Sequence, residues 1–323
     1  MSDIFIPKHF PENHEPQMAC CGLAGYYRLV LRYRDGRIVR DTGWFKNVIT
    51  NSGMVFVRDS TSWFSFCMLG SGSTTPAITD TNITTPLDGL RKSTSGTTIG
   101  YSSTYIYYRY TFSFTEGQST GNVRELGNFQ SSSGGNCFNH SLVLDGGGSP
   151  TTIVKGADQI LDVYYEIRNY PKLTDTTGTI DISGTSYNYT VRAAQIDDPG
   201  GSTVRWKNNS REILNASSTS HVAYTGGDLG ATTESPTGTS LGSLSGDSGF
   251  ATSIIGTGSY YNDVQLQVGI DSWNHASGIR CVQIMTGNCV WQIKYVAVSG
   301  GGAIPKTDED RLRLRFRLAW TRI

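Results

Sequence analysis

A strict two-residue alternation of charged and apolar side chains near the C terminus constrains the fold more than any other feature. Over residues 311–318, four arginines alternate with Leu312, Leu314, Phe316 and Leu318. Successive side chains of a β-strand point to opposite faces of the sheet, so this pattern predicts a strand with one buried face and one arginine face. The same period recurs over residues 105–115 and 161–168. We therefore expect an all-β fold.

Turn residues and composition support the same fold class. Asp35-Gly36 follows a strand-like run from Gly25 and predicts a tight hairpin, because Gly accepts a positive φ. Ser183-Gly184-Thr185 predicts a second hairpin. The 323 residues include 38 Gly, 35 Ser and 36 Thr, and only 17% are charged. This composition is typical of short strands joined by turns and disfavours a helical bundle. One short helix is expected within Asn47–Val57.

The length and two changes of texture indicate more than one domain. Single cores stop growing near about 250–300 residues. Alternation begins at Gly25, and the pattern changes again after Lys172. We predict two β-sandwich-like domains, 25–172 and 173–323, the second rich in Gly/Ser/Thr loops, behind an extended N-terminal arm over residues 1–24. The arm lacks periodicity, so we expect residues such as Pro7 and Phe10 to contact a neighbouring subunit.

Charge and hydropathy exclude several classes of function. Lys plus Arg number 27 and Asp plus Glu number 27, so the formal net charge is zero and direct coating of nucleic acid is disfavoured. No apolar run approaches about 18 residues, so we expect no membrane insertion, and the N terminus does not resemble a signal peptide. The six cysteines are expected to be free thiols, although a Cys281–Cys289 bridge stays open.

The terminal arginines are the first candidate site. Arg311, Arg313, Arg315 and Arg317 lie on one strand face, where they could bind phosphates. Alternatively, they pair with carboxylates of neighbouring strands or of another subunit, because Arg favours bidentate contacts. Acidic residues lie just upstream at 308–310 and the net charge is zero, so we favour the second interpretation and predict a subunit interface.

No other pattern predicts catalysis strongly. Gly246-Asp247-Ser248-Gly249 resembles the nucleophile segment of chymotrypsin-like serine proteases, but Phe250 and Ala251 follow it and no matching histidine segment precedes it, so we interpret it as a turn. The 17 tyrosines either fill strands or form stacking platforms for sugars or partner proteins. We expect no catalytic, cofactor-binding or metal-binding residues. The histidines show no ligand spacing; they are His9, His14, His140, His221 and His275.

Five segments together resemble one known family. They are Trp44–Gly53, Met68–Thr81, Asn122–Gly127, Ser141–Tyr170 and Ala303–Lys306. These segments are similar to bacteriophage tail-associated virion structural proteins, of the fibre, baseplate or collar type. The matching residues are turn and strand signatures, so the resemblance implies a fold and a role in the virion and supplies no catalytic residue.

The resemblance implies a non-enzymatic structural component of a phage tail, in an adaptor, collar, baseplate or fibre-attachment position. Such a protein is expected in the virion after assembly in the host cytoplasm, as a symmetric homo-oligomer whose partners are its own copies and other tail proteins. Two alternatives stay open: a receptor-binding or adhesin module for host-surface glycans, and a capsid decoration protein. A glycan-cleaving enzyme is a weaker alternative, because sequence does not reveal the distance between two carboxylates.

Overall fold

The computed structural model describes residues 17–59, 64–197, 220–245, 252–253, 260–285 and 290–323. Strands account for 57% of residues and helix for 3%, so the expected all-β fold is confirmed. No helix of the described residues combines the length and apolarity needed to cross a membrane.

The strands are numerous, and most of them are short because turns interrupt them often. The first part of the chain forms β1 Gln17–Tyr33, β2 Ile38–Asp41, β3 Phe45–Lys46, β4 Val48–Ile49, α1 Asn51–Asp59, β5 Phe66–Gly70, β6 Pro86–Ser93, β7 Gly96–Tyr101, β8 Ile106–Phe114, β9 Gly121–Val123, β10 Glu125–Phe129, β11 Cys137–Leu142, β12 Ile153–Lys155 and β13 Gln159–Pro171. The second part forms β14 Thr176–Ile182, β15 Thr185–Ala193, β16 Ser220–Thr225, β17 Thr239–Ser245, β18 Thr252–Ser253, β19 Tyr260–Val268, β20 His275–Ile279, β21 Cys281–Met285, β22 Val290–Ala297, β23 Ile304–Lys306 and β24 Leu312–Arg322.

The described residues form two compact units. The first, here called the N-terminal unit, draws on Leu23–Gly100, Ile106–Asn169 and Arg322–Ile323. The other, the C-terminal unit, draws on the described residues of Met1–Gly22, Tyr101–Tyr105 and Tyr170–Thr321. The longest continuous segments of the two units meet in the sequence at Asn169–Tyr170. The boundary expected from the sequence was at Lys172.

The described residues of the N-terminal unit contribute to three sheets, the smallest of which is the pair β9–β12. In one, β1, β13, β8 and β7 lie side by side, with β2 and β3 along the other edge of β1. The second sheet has the order β4–β11–β10–β5–β6. Burial alternates strictly along β8, with Ile106 and every second residue after it buried, as the sequence pattern predicts.

An aromatic cluster fills the core of this unit. The Phe64 ring lies 4.3 Å from the Phe138 ring, 4.9 Å from the Tyr165 ring and 4.9 Å from the Tyr110 ring, between ring centroids. Tyr27 packs on Tyr165 at 4.8 Å. These five side chains come from β1, β8, β11, β13 and the segment before β5, so their burial joins strands from both sheets.

Helix α1 begins four residues later than the start of the predicted window. β4 occupies the first part of that window, and Thr50 then caps the helix: its Oγ1 accepts a hydrogen bond from Gly53 N at 3.0 Å. A Cβ at Gly53 would collide with the carbonyl oxygen of Phe138. A glycine here therefore lets the helix lie directly against β11.

The C-terminal unit is built around a sheet of order β14–β15–β22–β21–β16–β17. The predicted hairpin at Ser183-Gly184 is confirmed, with φ of 51° and 78° at its two central residues. β24 pairs with β19, and its apolar face is buried as expected: Leu312, Leu314, Phe316 and Leu318 are at most 1% exposed.

Candidate functional site

The predicted interface residues fall into three groups. Pro7 and Phe10 lie outside the described residues. Arg313 and Arg315 belong to β24, but their side chains lie outside the described part of the structure. Arg311 is exposed, and the Arg317 guanidinium lies 3.7 Å from the centroid of the Tyr261 ring. The structure therefore places one arginine of this face on an aromatic neighbour of its own chain.

The residues opposite the arginine face are mostly neutral. In the β19–β24 register, Arg313 faces Gln267, Arg315 faces Gln265 and Arg317 faces Asp263. Only one of these three cross-strand partners is a carboxylate. The predicted interface through this face stays a prediction.

Two other sequence candidates fall outside the description. The Gly246–Gly249 segment lies among residues that the structure does not describe, and so does Cys289, the proposed partner of Cys281. The described cysteines are free, and four of the five are buried. Burial raises the pKa of the Cys137 and Cys281 thiols to about 12 and raises that of Cys67 further.

The most distinctive polar site is a buried chain of three ionisable side chains in the N-terminal unit. His140 on β11 is 1% exposed, and its Nδ1 lies 2.6 Å from Oδ2 of Asp80. Its Nε2 lies 2.9 Å from Oε2 of Glu125 on β10, whose side chain is fully buried. Asp80 belongs to the segment between β5 and β6, residues 71–85, here called the anchored loop.

Glu125 is surrounded by donors from the anchored loop. Its Oε1 accepts hydrogen bonds from Gly72 N at 3.1 Å and Thr85 N at 2.6 Å. Its Oε2 accepts them from Thr84 N at 3.0 Å and the Thr84 hydroxyl at 2.5 Å. One buried carboxylate thus fixes both ends of the loop.

These donors determine the charge of Glu125. Burial disfavours the ionised carboxylate, but the hydrogen bonds from Thr84, Thr85 and His140 outweigh it, so the pKa of Glu125 is lowered. The carboxylate is therefore ionised at neutral pH and has its acceptor positions filled by the chain's own donors. This arrangement can hold the loop.

The middle of the anchored loop is attached separately. Asn51 N donates to the Ile78 carbonyl at 2.7 Å, and Cys137 N donates to the Thr81 carbonyl at 2.9 Å. Ile83 inserts its side chain into a small core with Met68 and Phe129. Most residues around these points are exposed, so the loop presents an ordered polar surface.

Sequence reasoning missed this cluster. Glu125 and His140 are brought together by the β10–β11 pairing, in which Gly127 lies opposite His140, and the anchored loop adds Asp80. Their sequence spacing matches no catalytic or metal motif. The local signal is weak: β11 places three polar residues, Asn139, His140 and Ser141, after Cys137 and Phe138, and two glycines, Gly70 and Gly72, lie at the start of the loop.

A second polar site covers the outer face of the β1–β13–β8 sheet. Glu166 lies between Arg109, at 2.6 Å, and Arg168, at 2.9 Å. The Arg168 guanidinium also stacks on Tyr26 at 3.8 Å, and the Arg109 guanidinium lies 5.1 Å from the Trp44 ring centroid. The side chains alternate between charge and aromatic surface, and this outer face is half-buried.

No family model, curated protein or solved structure matches the chain. Among the side chains that the structure describes, no group of three or more His, Cys, Asp and Glu is arranged to hold a metal ion.

Proposed function

We propose that this protein is a non-enzymatic structural component of a phage virion, that it is placed in the tail, and that it assembles as a symmetric homo-oligomer. One observation carries the proposal: segments that resemble the phage family meet at the anchored loop. Met68–Thr81 supplies Gly72 and Asp80, and Asn122–Gly127 supplies Glu125. The residues that these segments supply to the site hold the anchored loop in place.

A third such segment supports the same interpretation. Trp44–Gly53 contributes Asn51, whose N–H binds the loop at Ile78, and Thr50, which caps α1. Residues that hold an exposed loop in a fixed shape suit a part whose surface meets other proteins in an assembly.

An exposed apolar pair supports self-association. Ile38 and Val39 are 60% and 47% exposed on β2, which pairs only with β1 among the described strands. Apolar residues on a sheet edge are a common site for pairing with another chain, and charged residues there oppose it. Ile38→Lys is therefore expected to lower the oligomeric mass, whereas Val298→Lys, at the 58% exposed Val298 in the turn after β22, serves as the control.

Two measurements test the proposal. Light scattering of the purified chain is expected to give a defined multiple of 35.2 kDa, and gold-labelled antibodies are expected to mark the tails of purified particles. A stable monomer together with unlabelled particles would overturn it. Label confined to the head would replace the tail role with capsid decoration.

The outer face favours a second candidate, a glycan-binding module. Trp44, Tyr26 and Tyr107 are half-buried there beside two arginines, and aromatic rings are suitable platforms for sugars. Trp44→Ala is expected to abolish binding on a glycan array, while Tyr33→Ala, which alters a half-buried tyrosine at the β1–β2 turn, is expected to preserve it. An unmodified chain that binds no glycan would exclude this candidate.

A further inference from the structure

We infer that the outer edge of β14 pairs with β14 of a second copy of this chain, in antiparallel register and centred on Thr179. The inference rests on the homo-oligomer of the proposed function and names one of its contacts. β14 lies at the edge of the six-stranded sheet of the C-terminal unit, and β15 is the only described strand that pairs with it. Its second edge therefore presents backbone donors and acceptors with which another strand can pair.

The two edges of this sheet differ in their protection. β17, at the opposite edge, shifts register against β16, and Gly242 within it has a φ of 89°. Such irregularities interrupt pairing and protect an exposed edge. β14 shows none of them, because its seven residues pair one for one with Thr185–Val191. It also contains no lysine, arginine or proline, so β14 is a regular strand with an unprotected edge.

The side chains of β14 suit a sheet that continues across this edge. Ile180 and Ile182 are 8% and 3% exposed and face the core, whereas Thr177, Thr179 and Asp181 are exposed on the other face. A strand added to the edge must alternate in the same way, so that its apolar side chains lie on the core side and its polar side chains lie in water. A second β14 has this alternation.

Self-pairing has one register that uses the whole strand. A two-fold axis at Thr179 pairs all seven residues of β14, because Thr179 is the central one. In this register Asp181 lies opposite Thr177 of the second copy, whose hydroxyl can donate to the carboxylate. An axis at Gly178 would instead place Asp175 opposite Asp181, and like charges directly opposite each other are destabilising. The strand is therefore complementary to itself in the register centred on Thr179.

A cysteine crosslink tests the register. Directly opposite Cα atoms of antiparallel strands lie about 4.5–5.5 Å apart, a distance that a disulfide spans. Thr179→Cys is therefore expected to give a covalent dimer under mild oxidation, seen by electrophoresis without reductant and lost on reduction.

Asn188→Cys is the matched control for the crosslink. Asn188 pairs with Thr179 from β15 and is exposed on the same face. In the proposed dimer it lies three strand spacings, about 14 Å, from its counterpart, so it is expected to stay uncrosslinked. Equal crosslinking of the two variants would overturn the proposed register.

A charge at the same position tests the contact independently of disulfide geometry. Thr179→Lys places a lysine on the edge and two lysines opposite each other across the axis, which opposes pairing. Loss of a two-fold contact separates an assembly into halves, so the molar mass by light scattering is expected to fall about twofold. Asn188→Lys adds the same charge one strand further in and is expected to keep the full mass.

The outcomes separate this contact from the proposed function. An unchanged mass of Thr179→Lys would overturn the β14 contact and leave the homo-oligomer standing, because Ile38→Lys tests a different edge. A monomeric unsubstituted chain would refute the homo-oligomer and this contact with it. A Thr179→Cys crosslink in a chain that is absent from phage tails would support the contact and refute the tail role.

Discussion

The N-terminal unit holds two buried glutamates in opposite ways. Glu125 is fully buried, and its partners are backbone amides, one hydroxyl and a histidine. Glu166 is 3% exposed, and its partners are two arginines, Arg109 and Arg168. Arginine stays charged at every physiological pH. The first site therefore depends on the geometry of the loop donors, and the second depends on permanent charge.

The largest effect is expected from removing the charge at Glu125. Glu125→Gln places an amide nitrogen among donors and leaves His140 without its partner, so the free energy of unfolding should fall by about 3–5 kcal/mol. Urea denaturation followed by circular dichroism measures it. A loss below about 1 kcal/mol would mean that the loop finds other acceptors.

A glycine beside the Glu125 carboxylate gives the next effect. A Cβ at Gly70 would lie 2.6 Å from Oε1 of Glu125 and 2.7 Å from the Thr85 carbonyl oxygen. Gly70→Ala is therefore expected to cost about 2–3 kcal/mol and to deprotect the loop amides in hydrogen exchange. Gly96→Ala, at a strand position with open space around it, is the control and should leave both unchanged.

Glu166→Gln sharpens the comparison by testing the arginine site. Arg109 and Arg168 are 32% and 15% exposed, so after the substitution water can accept part of the hydrogen bonds that their guanidinium groups donate to Glu166. The expected loss is about 1–2 kcal/mol, measured by the same denaturation. A loss as large as that of Glu125→Gln would remove the distinction between the two sites.

Salt should give the smallest effect. Raising the ionic strength screens the partly exposed arginines around Glu166 but hardly reaches the hydrogen bonds of Glu125. The stability difference between the unsubstituted chain and Glu166→Gln should shrink by about 0.3 kcal/mol in about 1 M NaCl. The corresponding difference for Glu125→Gln should stay constant, and its decline would show that Glu125 is solvated.

Much of the fold could be predicted because strand periodicity is local. The alternation over Leu312–Leu318 and along β8 predicted which faces are buried, and Ser183-Gly184 predicted its hairpin. The segment Asn122–Phe129 forms two strands that are interrupted at Arg124, because β9 pairs with β12 whereas β10 pairs with β5 and β11. That division depends on partners far away in the sequence.

The candidate site could not be predicted for the same reason. His140 lies 15 residues from Glu125 and 60 from Asp80, and only the strand register brings them together. An isolated histidine or glutamate carries no signal of burial. The glycines at 70 and 72 were visible in the sequence, but a loop of glycine and serine equally predicts an unattached turn.

The buried cysteines can report how often each unit opens locally. Cys67 and Cys137 belong to the N-terminal unit and Cys281 to the C-terminal unit, and all three are at most barely accessible. An alkylating reagent attacks thiolates, so each site must open before it reacts. Mass spectrometry of the modified peptides would then record, in one sample, how often the N-terminal unit and the C-terminal unit each open enough to expose their buried thiols.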